Sequence, residues 1–179
     1  GSEMCIRNSF ILAARPDMQS QMAFHLLLSL ERDYPQTTIE VVEIHDYSTT
    51  PLLRHPAKKH GIKYTSINEH PSSVTDYRRT ILAYIHNLGL IKPIVVIPDT
   101  AEDIAAYVMM EILRGRVEGL LLDLYARTAY PLAKTTRQEI ENLFSKLKIY
   151  QSPSQQMYGY PLYQRIPNII YESSTATPY

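Results

Sequence analysis

Short apolar runs rich in β-branched residues alternate along this chain with stretches whose apolar positions recur every three or four residues. The runs at 9–14 (SFILAA), 38–44 (TIEVVEI), 62–67 (IKYTSI) and 93–97 (PIVVI) read as strands. The last is the most hydrophobic and the expected centre of a sheet. The periodic stretches read as helices over 18–31, 74–88, 101–114 and 135–147, with a short one over 54–60 ended by Gly61. In the first, Met22, Leu26 and Leu30 share one face at spacing four. In the 74–88 helix, Val74, Tyr77, Ile81, Ile85 and Leu88 form a stripe, and Gly89 stands where a C-cap belongs. In the 101–114 helix, Ile104, Val108 and Ile112 are expected inward, with Gly115 as the stop. Residues 119–125 fit a strand and a helix equally well.

Strands separated by helical segments imply βαβ units: an α/β fold with a mainly parallel, doubly wound sheet flanked by helices on both faces. In such sheets the ligand crevice lies beyond the C-terminal strand ends. Here those ends are residues 14–20, 45–50 and 98–103. Residues 1–149 are expected to form the domain. Residues 150–179, rich in Tyr, Pro, Ser and Gln, read as an arm that docks or frays.

At 179 residues the chain is long enough for one domain with a core of its own. Its formal net charge is +0, so global charge gives no support to nucleic-acid binding, although a local basic face is not precluded. Cys5 is the one cysteine. That count speaks against an internal disulfide, a Cys-x-x-Cys zinc site and an iron–sulfur cluster held by three thiolates of this chain, and it fits a reducing compartment. No apolar run approaches a membrane span and no signal-peptide pattern is visible, so a cytoplasmic protein without a membrane partner is expected.

The crevice segments carry the candidate chemistry. A phosphate grip needs glycines, so that backbone N–H groups can curl around the anion at a helix N-terminus. The corner after the first strand reads Arg15-Pro16-Asp17-Met18-Gln19-Ser20. Pro16 has no N–H to donate, and Asp17 brings a negative charge. Asp17 is suited to cap the helix itself. An ordinary strand–turn–helix corner accounts for this segment better than a phosphate grip, with Arg15 left as a candidate phosphate ligand. The corner after the fourth strand reads Pro98-Asp99-Thr100-Ala101-Glu102-Asp103. Glu102 and Asp103 could hold magnesium. They also suit the helix dipole, and Thr100 with Asp103 forms a near capping box. His45 and Asp46, at the end of the second strand, are pocket candidates, with loop hydrogen bonding as their alternative role.

Taken in order, these segments resemble the PP-loop ATP pyrophosphatases of tRNA modification. The likeness is greatest to the tRNA 2-thiocytidine synthetases and less close to the tRNA-Ile lysidine synthetases, over residues 8–150. That family places S-G-G-x-D-S where this chain has residues 15–20, and G-H-x-x-D-D where it has 98–103. The family's later R-P-L segment is matched by Tyr130-Pro131-Leu132, and its C-x-x-C followed by R-R-G by residues 71–74 and Arg78-Arg79-Thr80. The resemblance implies an adenine nucleotide alpha hydrolase-like (HUP) fold, ATP and magnesium as possible ligands, and tRNA as a possible partner. It makes Arg15, Ser20, His45, Asp46, Glu102 and Asp103 the nucleotide-site candidates, and Arg78 and Arg79 the RNA-contact candidates, on a helix side expected to be exposed. The substituted motifs point to a degenerate member without ATP pyrophosphatase activity, with no bound cofactor and no iron–sulfur cluster, acting as a binding or scaffold protein. The alternative is an active tRNA-modifying enzyme with a remodelled site. Pairing with a homologous subunit, or a homodimer, is a further expectation of the resemblance.

His25, His45, His55, His60, His70 and His86 show no metal-ligand spacing, so no metal site is expected. Tyr150, Tyr158, Tyr160, Tyr163 and Tyr171 lie near Lys146, Lys148 and Arg165. Interleaved aromatics and bases can stack on single-stranded RNA or anchor a protein interface. A tail packed on its own domain is the simpler reading.

Overall fold

A computed structural model describes residues 9–71, 74–88, 93–115, 123 and 125–147. The five strands are β1 (Ser9–Ala14), β2 (Thr38–His45), β3 (Lys63–Asn68), β4 (Ile94–Val96) and β5 (Arg127–Ala129). All pair in parallel, in the order β3-β2-β1-β4-β5. β1 is therefore the middle strand, and the strongly apolar β4 lies beside it rather than at the centre. The helices are α1 (Met18–Asp33), α2 (Arg54–Lys59), α3 (Val74–Asn87), α4 (Ala101–Leu113) and α5 (Arg137–Leu147).

A parallel sheet covered on both faces needs apolar residues on both sides of its inner strands. β1 meets this with alternate residues. Leu12 and Ala14 join a cluster with Phe24 and Leu27 of α1, Ala57 of α2, and Ile140 and Phe144 of α5. Ile11 and Ala13 join a second cluster with Tyr77 and Ile81 of α3. The doubly wound arrangement expected from the sequence is thus present. α4 meets the start of α3 through Tyr107 and Val74.

Two glutamates sit inside β2, on opposite faces. Glu43 accepts hydrogen bonds from the backbone N–H groups of Leu52 and Leu53 at 2.8 and 3.2 Å and from the Tyr64 hydroxyl at 2.9 Å. Burial raises its carboxyl above the ordinary value, against those donors. It pins the loop that leads into α2. Glu40 receives Lys63 and the hydroxyls of Thr65 and Tyr84.

The faces expected for two helices need correction, and one strand was missed. α1 buries Ser20, Ala23, Phe24 and Leu27, while Leu26 is 45% exposed, so the Met22–Leu26–Leu30 row is only partly inside. α4 buries Asp103, Tyr107 and Glu111, not Ile104, Val108 and Ile112. β5 was not anticipated; it is three residues long and carries no apolar alternation. Gly115, at φ +61°, follows α4 as expected. The ambiguous stretch 119–125 falls mostly outside the described residues, as do Gly89 and the arm at 150–179.

Candidate functional site

The crevice beyond β1 and β4 is filled by the chain's own charges. Arg15 leaves the end of β1 and is 3% exposed. Its Nε donates to Asp17 Oδ2 at 2.8 Å and its Nη1 to Asp99 Oδ1 at 2.6 Å. Arg78 of α3, 4% exposed, reaches the other oxygen of Asp99 through Nη2 at 3.1 Å. Two guanidiniums therefore share one buried carboxylate. The Arg78 Nη1 also donates to Asp123 Oδ1 at 2.8 Å and to the Tyr130 hydroxyl at 2.6 Å. That hydroxyl in turn donates to Asp123 Oδ2 at 2.6 Å.

Aromatic rings complete the enclosure. The Arg78 guanidinium lies 3.8 Å from the centre of the Tyr107 ring, and that of Arg15 lies 5.4 Å from the Tyr77 ring. Such stacking attracts a desolvated cation. Tyr77 donates its hydroxyl to the Ala13 carbonyl at 2.5 Å, which ties α3 to the end of β1. Burial alone would lower the Arg78 guanidinium, but Tyr130, Asp99 and Asp123 reverse this and raise it, so it stays charged. Burial pushes the Tyr107 hydroxyl up to about 12, which keeps that ring neutral under the cation.

The turn that starts α1 is closed by the same residues. Asp17 caps the helix, accepting from the Ser20 N–H through Oδ1 at 2.8 Å. The Ser20 Oγ accepts from the Arg15 N–H at 2.8 Å. Backbone donors at this corner are thus directed to side chains of the corner itself, the arrangement that the cap chemistry of Asp17 suggested.

Glu102 and Asp103 face α5. Asp103 closes a full capping box with Thr100 and pairs with Arg137 Nη2 through its other oxygen. Glu102 accepts from the Arg137 backbone N–H at 3.3 Å. Burial would raise the Asp103 carboxyl. The charges of Arg15 and Arg137, with the Thr100 hydrogen bond, hold it below its ordinary value.

Among the sequence candidates, Arg15, Ser20, Asp103 and Arg78 gather around this network. His45 and Asp46 serve the loop after β2. His45 bonds Ser66 Oγ at 2.7 Å, and Asp46 accepts from the Ser48 N–H at 3.1 Å and pairs with His70 at 2.8 Å. Arg78 was expected on an exposed side and is buried, because the network draws it inward. Arg79 is 57% exposed and lies 4.0 Å from Asp76. Asp123, Tyr107 and Arg137 were not singled out, and Asp99 and Tyr130 were read only as members of matched segments, not as site candidates. Asp99 stands next to a strand end, but its pairing with Arg15 spans 84 residues and leaves no local pattern.

A cavity of about 20 Å³ adjoins the network, between Arg78, Asp123, Tyr77, Ala13 and Thr128. That is room for about one water, against roughly 300–1,000 Å³ for ligand clefts. Among the described residues no group of three or more His, Cys, Asp and Glu is placed to hold a metal ion. No described helix is long and apolar enough to cross a membrane.

The fold has counterparts among solved structures. The chain is similar to the U34-tRNA thiolase NcsA from Methanococcus maripaludis with its [4Fe-4S] cluster, at a TM-score of 0.66 and 17% identity over 99% of this chain and 70% of that one. It is also similar to a predicted subunit of tRNA methyltransferase from Methanocaldococcus jannaschii, at a TM-score of 0.51 and 12% identity over 93% and 88% of the two chains. No family model and no curated protein sequence matches it. At these identities the likeness is one of fold, and it meets the expectation of an α/β domain with a parallel sheet flanked by helices. It also corrects the exclusion of an iron–sulfur cluster. A thiolase of this fold carries one, and the cysteine count speaks only for ligands within these 179 residues. Cys5 lies outside the described residues.

Proposed function

We propose that this chain is a degenerate relative of the tRNA-modifying PP-loop proteins, working in the cytoplasm as a binding or scaffold subunit without ATP pyrophosphatase activity. One observation supports the reading: the Arg15 guanidinium is held between Asp17 and Asp99, in the segment that stands in place of the family's phosphate loop. An anion there would have to displace two buried carboxylates from their partners, and stripping a buried pair of one member costs about 3–5 kcal/mol. The small adjoining cavity supports the same conclusion. The two similar folds belong to a tRNA thiolase and a predicted tRNA methyltransferase subunit, which makes tRNA, or a homologous subunit that acts on it, the partner class to try.

The test is an assay for tRNA-dependent release of AMP and pyrophosphate from Mg-ATP, run beside tRNA retention by the immobilised full chain. The expected result is tRNA or subunit capture without AMP. Steady AMP formation that is lost in Arg15→Ala and Glu102→Ala would establish the opposite reading, an active enzyme with a remodelled site.

A further inference from the structure

The net charge of +0 hides an uneven distribution. Residues 47–68 contain no Asp or Glu, yet they carry Arg54, Lys58, Lys59 and Lys63, with His55 and His60 among them. All of these side chains are exposed. Lys63 reaches back to Glu40 at 3.0 Å. Arg54, Lys58 and Lys59 form no ion pair with any described residue. α2 itself offers none, since its sequence RHPAKK holds no acid. On α3, by contrast, Arg79 stands beside Asp76.

The fold fixes where these charges stand. β3 is an edge strand of the sheet. Leu53, Ala57 and Ile62 are buried in the core, and Gly61, at φ +68°, turns the chain from α2 into β3. The cations are thus held on a packed frame along the open side of the sheet. Arg54 and Lys58 stand four residues apart, so they share a helix face, and like charges at that spacing weaken a helix. The helix dipole favours Lys58 and Lys59 in the last turn of α2, but it disfavours Arg54 in the first. Local stability does not account for the group, whereas an anionic partner would.

We propose that α2 and the adjoining edge of β3 bind the phosphate backbone of RNA without reading its sequence. The chemistry of the surface selects that partner. An interface with an acidic protein is built around an apolar core. No exposed large apolar side chain lies on α2 or β3. A phosphate backbone needs none, because cations bind it by releasing its condensed counterions. This surface also differs from the helix side first expected to meet RNA, where Arg78 is buried and Arg79 stands beside an aspartate. The choice of RNA as the nucleic acid rests on the proposed function, while the charge pattern stands without it.

Fluorescence anisotropy of the full chain with a labelled RNA duplex of arbitrary sequence, and with bulk tRNA, tests this over a salt series. Both RNAs should bind, with affinity falling as salt rises. Lys58→Ala combined with Lys59→Ala should weaken binding to both about tenfold or more, and lower the slope of log Kd against log salt by about 2, one for each phosphate contact removed. Arg54→Ala alone should take about 1 from that slope. The melting temperature of these variants should not fall, since the removed charges have no partner in the fold. Arg79→Ala should bind as the wild type does. A wild type that binds neither RNA, or bulk tRNA alone, overturns the proposal, and so does its capture by phosphatidylserine vesicles in place of RNA. Binding that survives in the double lysine variant, or that Arg79→Ala loses equally, removes this surface and leaves the proposed function standing. Release of AMP from Mg-ATP by a protein whose RNA binding needs Lys58 and Lys59 does the reverse.

Discussion

Arg78 and Arg79 are adjacent in sequence and opposite in circumstance. Arg78 touches Asp99, Asp123 and Tyr130 from within the core, whereas Arg79 projects into solvent. Arg78→Ala takes one of two arginine partners from buried Asp99 and the arginine from partly exposed Asp123, and is expected to cost about 3 kcal/mol. Arg79→Ala should stay within about 0.5 kcal/mol of the wild type. Urea unfolding of the two variants checks both figures. Asp103 supplies a prediction in pH. Its folded carboxyl lies below the unfolded value of 3.8, so its contribution is present above that pH and is lost as pH falls through the lower folded value. Stability should therefore fall below about pH 4. Asp103→Asn should flatten this acid limb and cost about 3 kcal/mol at pH 7, read from melts over a pH series.

At the scale of the element, the start of α1 depends on Asp17 twice, through the Ser20 N–H and through Arg15. Asp17→Asn keeps an oxygen for the cap but loses the charge, while Asp17→Ala loses both. The expected order of melting temperatures is wild type, then Asn, then Ala, with the alanine variant losing more than the ~1 kcal/mol of a cap alone. Both caps were legible in the sequence, because capping is decided by residues three positions apart. The faces of α1 and α4 were less so. Apolar periodicity marks Leu26 and Ile112 as inner residues, yet the structure turns α4 so that Asp103 meets Arg137, Tyr107 meets Arg78 and Glu111 accepts from the Thr75 hydroxyl. Partners far apart in sequence outweigh the local pattern there, and no window along the chain contains them together. β5 escaped for a related reason: Arg127–Ala129 is a strand only because β4 pairs with it.

At the scale of the whole molecule, the alternation of strands and helices was enough to give a parallel, doubly wound sheet and to place its crevice at residues 14–20, 45–50 and 98–103. The content of the crevice was half legible. Pro16 and Asp17 announce a corner that does not grip phosphate through glycine N–H groups. Nothing local announces that Asp99 joins Arg15 to Arg78 across the sheet end. In the proposed function this internal network occupies the place of a nucleotide. Isothermal titration of the full chain with Mg-ATP, beside Asp99→Ala, tests it most directly. The account predicts no saturable heat for the wild type, and for Asp99→Ala either weak binding by the released arginines or a visibly destabilised fold. Saturable binding of Mg-ATP by the wild type, undiminished in Arg15→Ala, would contradict it.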